Sequence, residues 1–203
     1  MAVKVKICGV TSVADAVAAV GFGADAVGVN FYGGSPRCVT RALAREIRHG
    51  LPAATCVVGV FVNAAREEVA TVVEQVGLSA LQFHGDEPPE ACAGWGDLVV
   101  IKALRAGDAD VATRAARYGV RYVLLDTASA DYGGSGRVFD WRLAAAIPAG
   151  RLVLAGGLTP DNVADAVRLL RPAAVDVASG VEVTPGRKDH GKVKAFIQAA
   201  KAA

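Results

Sequence analysis

A strong charge of one sign is the first thing this sequence lacks. Its 203 residues carry 22 basic and 20 acidic side chains, a net of +2, with no long basic run. Nothing in that balance points to a nucleic-acid or membrane partner. No apolar stretch approaches the ~20 residues that span a bilayer. The opening MAVKVKICGV has lysines at 4 and 6 inside its apolar residues, which is not signal-peptide architecture. The four cysteines, Cys8, Cys38, Cys56 and Cys92, form no C-x-x-C pair and have no zinc spacing. In a chain of this size they read as reduced thiols in a reducing compartment, so the cytoplasm is the expected location. His49, His84 and His190 make no metal motif, and there is no N-glycosylation sequon. No internal repeat stands out.

What is present is alternation. Apolar or β-branched runs at 3–7, 25–29, 56–62, 79–83, 98–103, 120–125, 151–155 and 173–178 predict eight strands. Between them lie helical stripes with apolar residues at i, i+3, i+4 and i+7. They are Val13, Ala16, Val17, Val20; Val69, Val72, Val73, Val76; Val163, Ala166, Val167, Leu170; and Val193, Phe196, Ile197, Ala200. Each stripe predicts one helix face against a sheet. Alternation without a linker or composition break predicts one parallel β/α domain over residues 1–203. An open doubly wound sheet fits it too. The count of eight, and a length near the ~200-residue lower limit, favour a closed (β/α)8 TIM barrel. The helix after the fourth strand is expected to be short, from Pro88 to Gly94. Gly21-Phe22-Gly23-Ala24-Asp25-Ala26 matches a dinucleotide fingerprint, but it follows a helix and precedes a strand, the reverse of the required context. It reads as a helix end and a turn.

In a barrel, chemistry gathers at the C-terminal ends of the strands. Strands seven and eight end in Gly156-Gly157 and Ser179-Gly180, about one βα unit apart, with Thr159 as a prospective N-cap and Pro160 as a prospective first helical residue. If the two strands are neighbours, backbone N–H groups from both can grip one phosphate. Strand one ends Lys6-Ile7-Cys8-Gly9, with Lys6 and Cys8 on the inward face. Arg37 closes a glycine-rich loop after strand two and can clamp a carboxylate. His84 ends strand four; it reads first as a hydrogen-bonded wall residue and, at the mouth, as a candidate substrate contact. Asp126 ends strand six, facing either a partner or the mouth, where partial desolvation suits a general acid. The loop after it, Ala128 to Arg137, carries Gly133-Gly134-Ser135-Gly136 and reads as a lid. Asp176, ending strand eight, either meets a sugar hydroxyl or pairs with Lys6 or Lys102, both read as inward-facing.

Lys6-Ile7-Cys8-Gly9, Ser35-Pro36-Arg37, Gln82-Phe83-His84-Gly85, Gly133-Gly134-Ser135-Gly136 with Phe139-Asp140-Trp141, Ala155-Gly156-Gly157-Leu158, and Asp176 through Glu182 followed by Gly186-Arg187-Lys188-Asp189 occur in that order along the chain. Together they resemble the phosphoribosylanthranilate isomerase family. The resemblance implies a TIM barrel whose phosphate site lies at the ends of strands 7 and 8. It also implies an Amadori rearrangement of N-(5-phosphoribosyl)anthranilate to 1-(o-carboxyphenylamino)-1-deoxyribulose 5-phosphate, in tryptophan biosynthesis. By the same resemblance Asp126 is the general acid and Cys8 the general base, Arg37 holds the anthranilate carboxylate, and Gly156, Gly157, Ser179 and Gly180 hold the phosphate. No cofactor or metal is implied, and the enzyme would be a monomer or a homodimer. Lys6 is expected to raise the thiolate fraction of Cys8. The rivals are an indole-glycerol-phosphate synthase, which needs a mouth lysine and leaves Lys102 as its candidate; a pentose-phosphate epimerase, which needs metal-binding histidines; a dual-substrate isomerase, against which Cys8 argues; and a non-catalytic ligand-binding barrel.

Overall fold

A computed structural model of the chain describes residues 3–106, 110–127 and 141–203. Eight parallel strands close into a barrel in sequence order: β1 Lys4–Ile7, β2 Ala26–Asn30, β3 Cys56–Phe61, β4 Ala80–Phe83, β5 Val99–Ala106, β6 Tyr122–Thr127, β7 Leu152–Leu154 and β8 Ala174–Val177. Closure comes from β1 against β8, with Lys4, Val5, Lys6 and Ile7 in register with Ala174, Val175, Asp176 and Val177.

Closing the sheet gives each strand two buried faces. Val5, Ile7, Val27, Leu81, Val123 and Leu125 point outward into the layer under the helices, within one large apolar cluster. Val58, Ala80, Ile101, Ala103, Leu124, Val153 and Ala155 form a second, smaller cluster that fills the barrel. Successive side chains alternate between the two clusters, as a strand period of two requires. Parity therefore decides which residues reach the mouth.

The helices are α1 Val13–Gly21, α2 Arg41–His49, α3 Arg66–Val76, α4 Val111–Arg117, α5 Val163–Leu170 and α6 His190–Lys201. In α6 the stripe Val193, Phe196, Ile197 and Ala200 is buried throughout, and the Asp189 side chain caps the first turn by accepting from Lys192 N–H. Burying Phe196 and Ile197 contributes roughly 1.5–3 kcal/mol each. In α1 the expected stripe is rotated: Ala16 and Ala19 are buried, whereas Val17 is 47% exposed. Two small residues let α1 lie close to the sheet, and Val17 falls on the flank. Gly21 ends this helix and Gly23 takes a positive φ of 101° before β2, so the glycine pattern there is a turn.

Three expected helices differ. Pro88 to Gly94 forms successive turns, with Ala91, Cys92 and Ala93 N–H bonded to the carbonyls of Pro88, Pro89 and Glu90. These are i→i−3 bonds, and Gly94, with a positive φ of 71°, ends the run after them. Arg66 holds this loop from outside through the Ala93 and Gly94 carbonyls and lies 4.2 Å from the centre of the Trp95 ring. Between β6 and β7 the described residues contain a 3₁₀ helix, Trp141–Ala146. The helix after β7 starts at Val163, not at Pro160, because Asn162 caps the loop. Its Oδ1 accepts from Thr159 N–H and its Nδ2 donates to the Gly157 carbonyl.

Lys102 faces outward from β5, on the side of Val100 and Leu104, not into the barrel. It is 1% exposed, and its ammonium donates to the Gly85 carbonyl and to Glu87 Oε2, each at 2.7 Å. Glu87 Oε1 in turn accepts from the N–H groups of Asn63 and Gly85. This knot fixes the loop after β4. Breaking it by Lys102→Met leaves a buried carboxylate without its cation, and about 3–5 kcal/mol of stability should be lost. Urea unfolding of the two proteins measures it; a loss within the scatter of surface substitutions would mean that Glu87 does not depend on the pair.

Candidate active site

At the C-terminal end of the barrel a cleft of about 300 Å³ is lined by Cys8, Arg37, Gln82, His84, Asp126, Asp176 and the loops after β7 and β8. Each enters by parity from its strand or from the loop that follows. Lys6 and Cys8 are on the inward row of β1. Lys6 is in register with Asp176 on β8, and its ammonium lies 2.9 Å from Asp176 Oδ1, with both side chains almost fully buried. Of the roles open to Asp176, the structure fills the ion pair with Lys6, while the residue still lines the cleft.

That pair acts on Cys8 in a way that the sequence does not reveal. Burial pushes the Cys8 thiol up from its ordinary value, and the Asp176 carboxylate adds to the rise. Lys6, then Lys188, pull the other way without overcoming it. Lys6 thus favours the thiolate, as expected, but the net effect is a more basic thiol. For Lys6 itself burial disfavours the charge, yet Asp176, with help from Cys8, holds its pKa above the usual lysine range.

Arg37 lies at the rim with its side chain across Gly9. Its Nε and Nη2 donate to Glu182 Oε1 and Oε2 at 2.8 and 2.7 Å, a bidentate pair. The Lys188 ammonium, fully buried, also donates to Glu182 Oε1, at 2.8 Å, and to the Ala178 carbonyl. Burial alone would raise the Glu182 carboxyl, but the bonds from Arg37 and Lys188 bring it below its ordinary value. Lys188 is lowered, burial outweighing Glu182. These two residues belong to a short antiparallel hairpin, β9 Glu182–Thr184 and β10 Arg187–Lys188, for which the alternation gives no warning. The hairpin is tied to the start of α1 by Thr11, which donates to the Gly186 carbonyl, and by Asp15, which accepts from Lys188 N–H.

On the other side of the cleft, Gln82 and His84 share the inward row of β4, two residues apart. Gln82 Nε2 lies 2.7 Å from His84 Nδ1, and His84 Nε2 lies 3.4 Å from Asp126 Oδ2. Arg105, on the inward row of β5, is in register with Asp126. The glycine end is built by β7 and β8, which pair directly. Gly156 and Gly157 both have positive φ, 78° and 68°. A Cβ at Gly180 would lie 1.9 Å from the Leu158 carbonyl oxygen, so the two loops meet at a distance that only glycine permits. The expected lid, with Gly133-Gly134-Ser135-Gly136, lies outside the described residues.

A family profile described as N-(5'phosphoribosyl)anthranilate (PRA) isomerase matches residues 5–199. The chain belongs to this family. It is 52% identical to the N-(5'-phosphoribosyl)anthranilate isomerase of Pseudomonas fluorescens strain Pf0-1 over 204 residues, covering 98% of each chain. It superposes on the crystal structure of the Thermotoga maritima phosphoribosyl anthranilate isomerase with a TM-score of 0.90 at 45% identity, covering 99% of this chain and 100% of that one. A crystal structure of phosphoribosyl anthranilate isomerase in complex with reduced 1-(o-carboxyphenylamino)-1-deoxyribulose 5-phosphate superposes with a TM-score of 0.87 at 43% identity over 99% of this chain and 100% of that one.

Within the family fold, every candidate site residue lines the one cleft. Glu182, Lys188 and Gln82 stand in the motifs of the resemblance but were assigned no role, and Arg105 stands in none of them. Gln82 carried a usable signal, since period two puts it on the face of His84. Arg105 lies two residues past the expected end of its strand. Glu182 and Lys188 had no periodic signal, because a hairpin of this kind has no period; the family motif alone contained them.

Two outcomes follow from these electrostatics. Alkylation of Cys8 by iodoacetamide should accelerate only above the pH at which an ordinary thiol ionises, ~8.5. Asp176→Asn should move that midpoint down and Lys6→Met should move it up; the reverse order would contradict the assigned causes. Glu182 has a lowered folded pKa, so its stabilisation is present above its unfolded value, ~4.3, and is lost as pH falls below it. Glu182→Gln should therefore flatten the decline of stability between about pH 5 and about pH 3, read from denaturant midpoints. An equally steep decline would remove Glu182 from the acid transition.

Proposed function

We infer that this chain isomerises N-(5'-phosphoribosyl)anthranilate to 1-(o-carboxyphenylamino)-1-deoxyribulose 5-phosphate, an Amadori rearrangement of tryptophan biosynthesis. The observation that carries the reading is one cleft lined together by a thiol from β1, a carboxyl from β6, an arginine at the rim and a double-glycine end. The ligand has a matching set of groups: a phosphate, a sugar that must open and lose a proton, and an aromatic carboxylate.

In the proposed mechanism the phosphate docks on the backbone of Gly156, Gly157, Ser179 and Gly180. Arg37 receives the carboxylate. Glu182 occupies its Nε–Nη2 edge, which leaves the Nη1 side of the guanidinium to the ligand. Asp126 gives a proton to the furanose ring oxygen. The bond from that oxygen to C1′ breaks, and the anthranilate nitrogen lone pair forms a C1′=N iminium. Cys8, as thiolate, takes the C2′ proton, and the C–H electron pair forms C1′=C2′ and neutralises the nitrogen. The resulting enaminol tautomerises to the ketone. A thiol pushed up by burial is present as thiolate in a small fraction but is a strong base when ionised. His84 acts beside Asp126, and Asp176 shapes the sugar end through its pair with Lys6.

Lys102 faces away from the cleft and is bonded to Glu87, which counts against the synthase reading. Among the described residues no three His, Cys, Asp or Glu side chains cluster as a metal site, which counts against the epimerase. No helix among them is long and apolar enough to cross a membrane, and the four cysteines are free; both fit the proposed cytoplasmic location. We also retain a monomer or homodimer as the working assembly.

The test follows the loss of fluorescence of freshly generated phosphoribosylanthranilate on adding the protein. Rapid loss is expected, and Cys8→Ser and Asp126→Asn should each slow it by roughly 10²–10⁴-fold while substrate still binds. Binding without turnover in the unaltered protein would instead indicate a non-catalytic barrel, and near-normal rates in either variant would remove that residue from the mechanism.

A further inference from the structure

β2 carries a glycine at its centre, and its own backbone does not call for one. A glycine inside a strand weakens it, and marks a bulge, a bend or a close approach. The ladder to β3 runs unbroken through Gly28, from Ala26 opposite Cys56 to Asn30 opposite Val60, so there is no bulge. Its φ lies outside the left-handed region, and any residue could adopt it. That leaves close approach. Val27 and Val29 point outward, into the layer under the helices. Gly28 therefore faces inward, between Ala26, which packs on the cluster inside the barrel, and Asn30, which lines the cleft. Lys6 and Ile7 are in register with Ala26 and Val27, which brings Cys8 level with Gly28. A Cβ at Gly28 would lie 2.9 Å from Cys8 Sγ, 3.1 Å from Lys6 Cε and 3.2 Å from Cys8 Cα. Non-bonded carbon atoms settle at ~3.5–4.0 Å. The place of the missing side chain is already taken, by the thiol and by the Lys6 stem on its way to Asp176.

We propose that Gly28 is a positioning residue for the proton-abstraction step: the space left by its missing side chain seats the Cys8 thiol over β2 and fixes the line along which the sulfur meets C2′. This rests on the reading of Cys8 as general base. A cysteine has one side-chain torsion with three staggered positions, and the one it occupies decides where the sulfur stands. The present position is open to Sγ because β2 puts no side chain there. With a methyl group on residue 28, Sγ would have to withdraw by roughly half an ångström to one ångström, or turn to another position. Proton transfer needs a short, aligned contact, and a displacement of ~1 Å at a reacting group costs on the order of 10²-fold in rate. The ends of the ligand are held elsewhere, by Arg37 and by the loops after β7 and β8, so binding should be spared. The contact with Cys8 Cα is with backbone, so the methyl group also strains the β1–β2 pair. A test must separate that strain from the effect on the thiol.

Turnover of phosphoribosylanthranilate, followed by its loss of fluorescence, makes that separation when the unaltered chain, Gly28→Ala, Cys8→Ser and the double variant are compared. Gly28→Ala should lower kcat by ~10²-fold with KM near the original. In the Cys8→Ser background the same methyl group has no thiol to displace, and the residual rate should fall far less. A merely structural effect would lower both rates by one factor, and that result overturns the proposal. So does a folded Gly28→Ala enzyme with unchanged kcat. Should Gly28→Ala fail to fold, crystals of the unaltered protein with reduced 1-(o-carboxyphenylamino)-1-deoxyribulose 5-phosphate decide. Sγ should face C2′ from its seat over Gly28; a sulfur turned away from Gly28 in that complex overturns the proposal. Near-normal turnover in Cys8→Ser would overturn the base role, and this proposal with it. Slow turnover in Cys8→Ser beside normal turnover in Gly28→Ala overturns this proposal alone.

Discussion

The ion pair between Lys6 and Asp176 joins the first strand of the barrel to the last, inside it and under the mouth. Its members are in register across the closing seam, so it forms only when β1 and β8 are aligned as they are. A buried pair contributes little to net stability, because desolvation takes back most of the attraction. What it does is set local chemistry. Asp176 makes the neighbouring thiol more basic, Lys6 partly restores its anion, and neither charge could stay buried without the other. The cleft above inherits a thiol whose properties come from the barrel's interior.

A second carboxylate plays a comparable part at the rim. Glu182 takes two hydrogen bonds from Arg37 and one from Lys188, and so joins the loop after β2 to the hairpin after β8. The loops at a barrel mouth come from different strands and have no backbone ladder between them. Side-chain charges are the means left for holding them in one arrangement, and this one also aims the guanidinium.

Most of the fold was legible because it repeats. Eight apolar runs and the stripe Val193, Phe196, Ile197, Ala200 each carry a period that burial imposes, and parity alone put Lys6 and Cys8 on the inward face. Where the period fails, the reading failed with it. Lys102 was taken as inward, but the register of β5 turns it outward. Pro88 to Gly94 has the length of a short helix but makes only i→i−3 turns before the left-handed Gly94 ends it. Val17 fits the stripe of α1 on paper, but two alanines already bring that helix close to the sheet. The lining of the candidate cleft was legible at strand ends, where Cys8 and Asp126 both fall, and the roles of Glu182 and Lys188 were not. Their importance lies in a contact 145 residues away along the chain, between Glu182 and Arg37. No spacing rule reaches that far.

The contact between Gly180 and the Leu158 carbonyl bears on how such a site can change over time. A single methyl group at position 180 would sit inside that oxygen, so the wall built by β7 and β8 admits no drift in side-chain size. The opposite rim is held by three long, flexible side chains, Arg37, Glu182 and Lys188, not by a backbone contact of that closeness. Variation in what the cleft accepts should therefore accumulate at the arginine end, with the glycine end left as a fixed origin from which a ligand is measured.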